Sequence, residues 1–157
     1  AISKEHFLVQ WQELTLELAE VYSEYFEKKY DMVRESNVLG LSRSICNLGM
    51  KSIKYYQELL VFVESEVAKL KEEEKSSEDF TTTITLYLNQ ARLYGKIHPK
   101  DDVKTYRNNL VCSLKCYSEA KKKLDRSRFT QESQSLKDQL MICSEMAELL
   151  PVKISQI

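Results

Sequence analysis

The chain has 157 residues, with 23 lysines and arginines against 24 aspartates and glutamates, a formal charge of -1, and only three glycines and two prolines. So few turn formers exclude an all-β protein built from many tight turns, and a chain of this length buries about 68–70% of its unfolded surface in one domain, so no disulfide or metal staple is required. Charge is unevenly spread: residues 1–79 carry 10 basic and 16 acidic side chains, net -6, and residues 80–157 carry 13 and 8, net +5, so the N-terminal half should repel nucleic acid and favour a basic partner.

Ser3 is placed to cap a helix that runs without a breaker to about Glu35. Its apolar residues form two adjoining stripes, Phe7, Trp11, Leu14, Leu18, Val21, Tyr25 and Leu8, Ala19, Tyr22, Phe26, Tyr30, Val33. Together they span close to half the circumference, which predicts a helix packed against neighbours on two sides. The opposite side carries Glu13, Glu17, Glu20, Glu24, Glu27 and Asp31 at alternating spacings of four and three. Like charges at those spacings cost about 0.2–0.5 kcal/mol per pair, and nothing local in the sequence offsets that cost. The row reads either as a solvated face or as a contact surface for a basic partner; Glu13, Glu17, Glu20, Glu24 and Glu27 are the candidate partner-binding residues.

Ser36, Asn37 and Gly40 supply a turn, and a second helix is expected from about Ser42 to Lys71 with Leu48, Ile53, Tyr56, Leu60, Val63 and Val67 inward. Lys71 to Asp79 has no apolar residue and reads as a frayed helix end and mobile acidic loop. It divides the chain into a first long helical hairpin, residues 1–72, a loop at 73–79, and a second hairpin with a closing helix over 80–157. Asp79 is expected to cap the third helix, which should end at His98 before Pro99. Asp101 or Asp102 starts the fourth, bearing Tyr106, Leu110, Leu114 and Tyr117 and ending in the basic run Lys121 to Lys123, which suits a helix C-terminus without nucleic acid. A fifth is expected from about Thr130 to Leu150, stopping at Pro151.

Two segments recur. KSIKYYQELL at Lys51 to Leu60 returns as CSLKCYSEAK at Cys112 to Lys121, sixty-one positions on, with serine, an aliphatic, lysine, tyrosine and glutamate in the same order. Each copy follows an alanine and a tyrosine three apart, Ala19 and Tyr22 in the first helix and Ala91 and Tyr94 in the third. A small residue that admits a partner helix, followed by a ring, is the pattern of stacked helical hairpins, so the expected architecture is all-α, a tetratricopeptide-like solenoid of about five antiparallel helices.

No phosphate-binding glycine loop, Rossmann fingerprint, HExxH, GxSxG or ExxH repeat is present, so the chain reads as non-catalytic, with no cofactor and no small-molecule substrate. The four cysteines, Cys46, Cys112, Cys116 and Cys143, lie within helical patterns without CxxC spacing and read as reduced core residues, and no metal is expected. No apolar run approaches the ~20 residues that span a bilayer, so no membrane insertion is expected. The chain opens at Ala1 and enters a helical pattern almost at once, as a piece of a longer protein would.

ARLYGKI at Ala91 to Ile97, NLVCSLKCY at Asn109 to Tyr117, SEMAELLPVKI at Ser144 to Ile154 and, upstream, NLGMKSIKYYQELL at Asn47 to Leu60 together resemble the C-terminal part of the kinesin-family-binding (KIF-binding) protein family. The resemblance covers about residues 45–154; residues 1–40 share helical character more than motif. It implies a non-enzymatic, tetratricopeptide-like solenoid in the cytoplasm, associated with the cytoskeleton. Such a solenoid binds kinesin motor domains and keeps them from microtubules, affecting axonal and organelle transport and spindle function. The larger N-terminal part of that solenoid is missing here, so weak kinesin binding by this piece is one expectation. Kinesins dock on acidic tubulin through a basic surface, which is what the acidic row would cover. The alternative is a generic tetratricopeptide-like scaffold or chaperone cofactor that grips a peptide, which would want lysine and asparagine on an inner face. A third reading is a bare structural or oligomerisation bundle.

Overall fold

The computed structural model describes residues 3–36 and 38–157, so the expectations placed on Ala1 and Asn37 lie outside the described residues. These residues form six α-helices: α1 (Lys4–Glu35), α2 (Arg43–Ala68), α3 (Ser77–Lys96), α4 (Val103–Arg126), the single turn α5 (Arg128–Gln131) and α6 (Gln134–Ser155). A 3-10 turn at Glu72–Glu74 lies within the segment expected to be a loop, and among the described residues there is no strand.

Every α-helix opens on a serine or aspartate whose side chain accepts a hydrogen bond from a first-turn N–H: Ser3, Ser42, Ser76, Asp102, Ser127 and Ser133. Each such cap contributes about 1 kcal/mol. Ser3 and Asp102 cap as expected. For α3 the cap is Ser76, with the Asp79 N–H donating to its Oγ at 3.1 Å. The helix therefore starts before the expected residue, because the serine three positions upstream already satisfies the amide that Asp79 would have left exposed.

The last helix also departs from expectation. Thr130 belongs to the separate turn α5, where its buried hydroxyl donates to the Leu124 carbonyl at 2.7 Å. The helix α6 then runs through Pro151 to Ser155 instead of stopping there. Proline removes one amide donor from the ladder, but Pro151 is exposed, and Leu150 and Ile154 on either side of it both pack into a core and hold the final turn in place.

Packing follows the order α1, α2, α3, α4, α6, each helix lying chiefly against the next in that order. Trp11 meets Phe62 edge-on, ring centroids 5.3 Å apart, and Tyr22 stacks on Tyr55 at 5.9 Å, so the early part of α1 lies against the late part of α2 and the two run in opposite directions. Two cores result. One joins α1, α2 and α3 around Phe26, Ile53, Tyr56, Leu60, Leu86, Leu93 and Ile97; the other joins α3, α4 and α6 around Ile84, Ala91, Leu110, Tyr117, Leu136 and Cys143. Thus α3 is apolar on two faces and fills both.

The recurring segments occupy equivalent places. The buried Ser52 hydroxyl of α2 donates to the Ala19 carbonyl of α1 at 2.6 Å, and the buried Ser113 hydroxyl of α4 donates to the Ala91 carbonyl of α3 at 2.7 Å. The serine of one motif and the alanine of the other therefore meet in both helix pairs, where alanine leaves room for the partner helix. The turns at one end are tied together as well: the Leu41 N–H donates to the His98 carbonyl at 2.7 Å and the Lys100 N–H to the Leu41 carbonyl at 2.9 Å. Gly40 permits this approach, since its φ of 84° is left-handed and a Cβ there would lie 2.7 Å from the Lys100 Cα.

Candidate partner-binding face

On α1, Thr15, Ala19, Ser23 and Phe26 are buried, and they set the orientation of the rest of the helix. With that face turned inward, Glu13, Glu17, Glu20 and Glu24 all point to solvent. These four form a continuous acidic strip along more than two turns. The only nearby cation on the same helix is Lys28, 3.9 Å from Glu24, with both side chains more than 70% exposed, a pair that contributes little to stability.

Glu27 is placed differently. Its side chain is 25% exposed and is held between two cations of α3, Arg92 Nε at 3.1 Å and Lys96 Nζ at 2.7 Å. Arg92 also donates to Ser23 Oγ at 2.9 Å and to Asn89 Oδ1 at 2.7 Å. One end of the acidic row is thus locked to a neighbouring helix, which offsets part of the like-charge repulsion that the sequence left without compensation. The other five carboxylates of the row, Asp31 included, are exposed to water.

The apolar expectation for α1 holds for one stripe and fails for the other. Ala19, Phe26, Tyr30 and Val33 pack into the first core, but Phe7, Leu14, Val21 and Tyr25 are each more than half exposed. Among the described residues nothing covers that flank; only Trp11 and Leu18 of this stripe are half-buried. The two-sided packing expected from the width of the apolar surface is therefore realised on α3.

Two polar links went unread in the sequence. One is the Arg92 and Lys96 clamp on Glu27. A signal for it was present: in the recurring alanine–x–x–tyrosine segments, Glu20 of α1 stands where Arg92 stands in α3. The other is Glu64, which accepts from the Tyr87 hydroxyl at 2.9 Å and pairs with Lys123 at 3.3 Å, joining α2, α3 and α4. Burial first, and then the Glu64 carboxylate that takes its hydrogen bond, push the Tyr87 phenol far above its ordinary pKa, so it stays a neutral donor. Lys123 of the basic run is accordingly an internal tie.

The cysteines are all free; Cys46 and Cys143 are buried, and desolvation pushes both the Cys116 and Cys143 thiols up to about 11. At neutral pH both are protonated and poorly nucleophilic. Among the described residues there is no group of three or more His, Cys, Asp or Glu side chains arranged to hold a metal, and no helix is long and apolar enough to cross a membrane. What the α1 face offers chemically is fixed negative charge beside exposed apolar surface.

No curated protein and no solved structure matches the chain. Its whole length, residues 1–157, matches the family described as KIF-1 binding protein C terminal. The chain, with its two like-built helix pairs, belongs to the KIF-1 binding protein C-terminal family.

Proposed function

We propose that this region is a regulatory binding module that engages kinesin motor domains and keeps them from microtubules, acting in the cytoplasm in association with the cytoskeleton. In this reading α1–α2 and α3–α4 are successive hairpins of a tetratricopeptide-like solenoid, divided near residues 73–79, and α6 closes the array. The family description, which names a KIF-1 binding protein, supports the choice of partner. The observation that carries the site is the solvent-facing strip Glu13, Glu17, Glu20 and Glu24, with Glu27 anchoring its end to α3. A motor that docks on acidic tubulin presents a basic surface, and acid held on a stiff helix competes for it. Such a strip acts mainly through encounter rate and partner choice.

The experiment is charge reversal. The triple variant Glu17→Lys, Glu20→Lys, Glu24→Lys leaves the core untouched because all three side chains are exposed. It should slow association with a KIF1-class motor domain by about tenfold or more at low ionic strength and flatten the salt dependence of the rate. Unchanged association at low salt would remove the strip from the interface. The peptide-clamp alternative is the weaker reading, since the cations that could hold a free carboxylate, Arg92 and Lys96, are already engaged by Glu27.

A further inference from the structure

The end of α2, the 3-10 turn, the start of α3 and the junction of α4 with α5 enclose a cleft of about 440 Å³, with Val67, Phe80 and Phe129 among its apolar lining. Its charges are unevenly matched. Glu64 is engaged by Tyr87 and Lys123, and Glu72 pairs with Lys75 at 3.1 Å. Arg126 and Arg128 line the same cleft, both exposed, and among the described residues neither makes an ion pair. Arg128 lies over the Phe129 ring, 4.7 Å from its centroid, and its Nη2 donates to the Glu72 and Lys75 carbonyls at 3.4 and 3.5 Å, long and therefore weak bonds. The Lys75 carbonyl belongs to the peptide bond that leads into Ser76. A guanidinium without a counterion thus stands beside Ser76, which also lines the cleft.

Ser76 lies in the acidic run EEEKSSED, Glu72 to Asp79, and is exposed. Lys75 and Ser76 both have extended backbone, φ -73° and ψ 132° followed by φ -100° and ψ 154°, the shape in which a protein kinase takes its substrate. Only the first turn of α3 has to open for binding, and that helix carries no fully buried side chain before Thr83. Kinases select substrates by charge pattern, and an acid-directed kinase reads acid at the third position after the serine. Asp79 supplies it for Ser76, whereas Phe80 stands there for Ser77. The same spacing of serine and acid suits a helix cap, which accounts for Ser76 and Asp79 but not for the guanidinium brought to the loop from α5. We infer that Ser76 is a phosphorylation site for an acid-directed protein kinase and that Arg126 and Arg128 receive the phosphate. In the transfer the Ser76 Oγ attacks the γ-phosphorus of ATP, the bond to the β–γ bridging oxygen breaks, ADP leaves, and the hydroxyl proton passes to the base of the kinase. The product carries a charge of about -1.5 to -2 at pH 7 and three acceptor oxygens, which guanidinium groups bind through paired N–H bonds. Asp79 opposes that charge within the cleft and the two arginines outweigh it. A phosphate so held ties the start of α3 to the α4–α5 junction and stiffens the loop between α2 and α3, whatever partner the α1 face engages.

The test treats the folded chain, and separately a synthetic peptide of residues 70–82, with an acid-directed kinase and ATP, and maps the product by mass spectrometry. Phosphate is expected on Ser76 in both, lost in Ser76→Ala and retained in Ser77→Ala. A peptide left unmodified, a folded chain left unmodified while the peptide is phosphorylated, or phosphate placed on Ser77 instead overturns the site. Phosphorus NMR then follows the second ionisation of the phosphoserine, which falls near pH 6 in an unstructured chain. In the folded chain it should come at least about 0.5 pH unit lower than in the peptide, because nearby guanidinium groups favour the dianion. Arg126→Gln with Arg128→Gln should return it at least halfway; both side chains are exposed, so the far-ultraviolet dichroism of that variant should be unchanged. A phosphate at the start of a helix feels the helix dipole in either case, so dependence on the two arginines is what identifies the cleft. Equal titration in chain and peptide, or a lowered value that the double variant leaves in place, overturns the assignment of the arginines. No motor domain enters the assay, so its failure is separable from failure of the kinesin reading.

Discussion

The pair α1–α2 and the pair α3–α4 share an inner design and differ in what they show to water. In both, a serine of the second helix donates to an alanine carbonyl of the first, and a tyrosine follows that alanine by three residues. Outside that crossing they diverge: Val21 is 53% exposed where Leu93 is fully buried, and Glu20 faces solvent where Arg92 reaches back to bind Glu27 and Ser23. What is shared holds the two pairs together, and what differs lies on the outer faces of their first helices.

The sharpest test of that contrast uses two helical glycines. A Cβ on Gly49 of α2 would lie 2.8 Å from Ile97 Cδ1 and 3.0 Å from Phe26 Cδ1, inside the first core. Gly49→Ala should therefore destabilise the protein by about 1–3 kcal/mol in urea unfolding, overpacking outweighing the gain in helix propensity. Gly95 of α3 has only Ser113 Oγ at 3.4 Å. Gly95→Ala should stabilise by up to about 1 kcal/mol, because the helix gains propensity without a clash. Equal signs for the two would mean that the first core yields more readily than its geometry indicates.

A smaller effect examines what the pairs share. Ser52→Ala and Ser113→Ala each remove one buried hydrogen bond while the alanine carbonyl keeps its place in the helix ladder, so each should cost about 1 kcal/mol, and the two values should agree within about 0.5 kcal/mol. A large difference would show that the two crossings are alike in geometry but not in energy. The smallest effect is at the tied turns. His98 stacks on Tyr106 with centroids 3.8 Å apart, and burial, with Lys153 adding to it, holds its pKa below the usual 6.5. Protonation is thus disfavoured in the folded state. The stability this contributes is fully present above pH 6.5 and is lost as pH falls through the lower folded value. Thermal midpoints measured down that range should fall, and His98→Phe should flatten the decline.

Much of this arrangement was legible in the residues. The starts of α1 and α4 followed from single capping residues, and the likeness of the two pairs followed from a repeated serine motif, because both are local signals read at fixed spacing. The family resemblance and the whole-length family match agree. The exposure of Phe7, Leu14 and Val21 was not legible, since periodicity counts apolar positions but does not say whether a neighbour exists to cover them. Nor was the role of Glu27, whose partner Arg92 stands 65 residues away and outside any local pattern. The continuation of α6 past Pro151 depended on Ile154 finding a place in the second core, a tertiary contact that overrides a local breaker. The acidic strip was visible at once, but its division into an anchored end and a free length required the fold.

The backbone link between Leu41 and the His98–Lys100 turn joins the two pairs at the end where α1 finishes. Far from that joint α1 is braced as well, with Trp11 against Phe62 and Tyr22 against Tyr55, so the helix is held along its length and cannot swing as a free arm. At about 1.5 Å per residue, Glu13 lies about 33 Å from the end of α1 and Glu27 about 12 Å, so the five carboxylates from Glu13 to Glu27 are spaced over about 21 Å of a rigid rod.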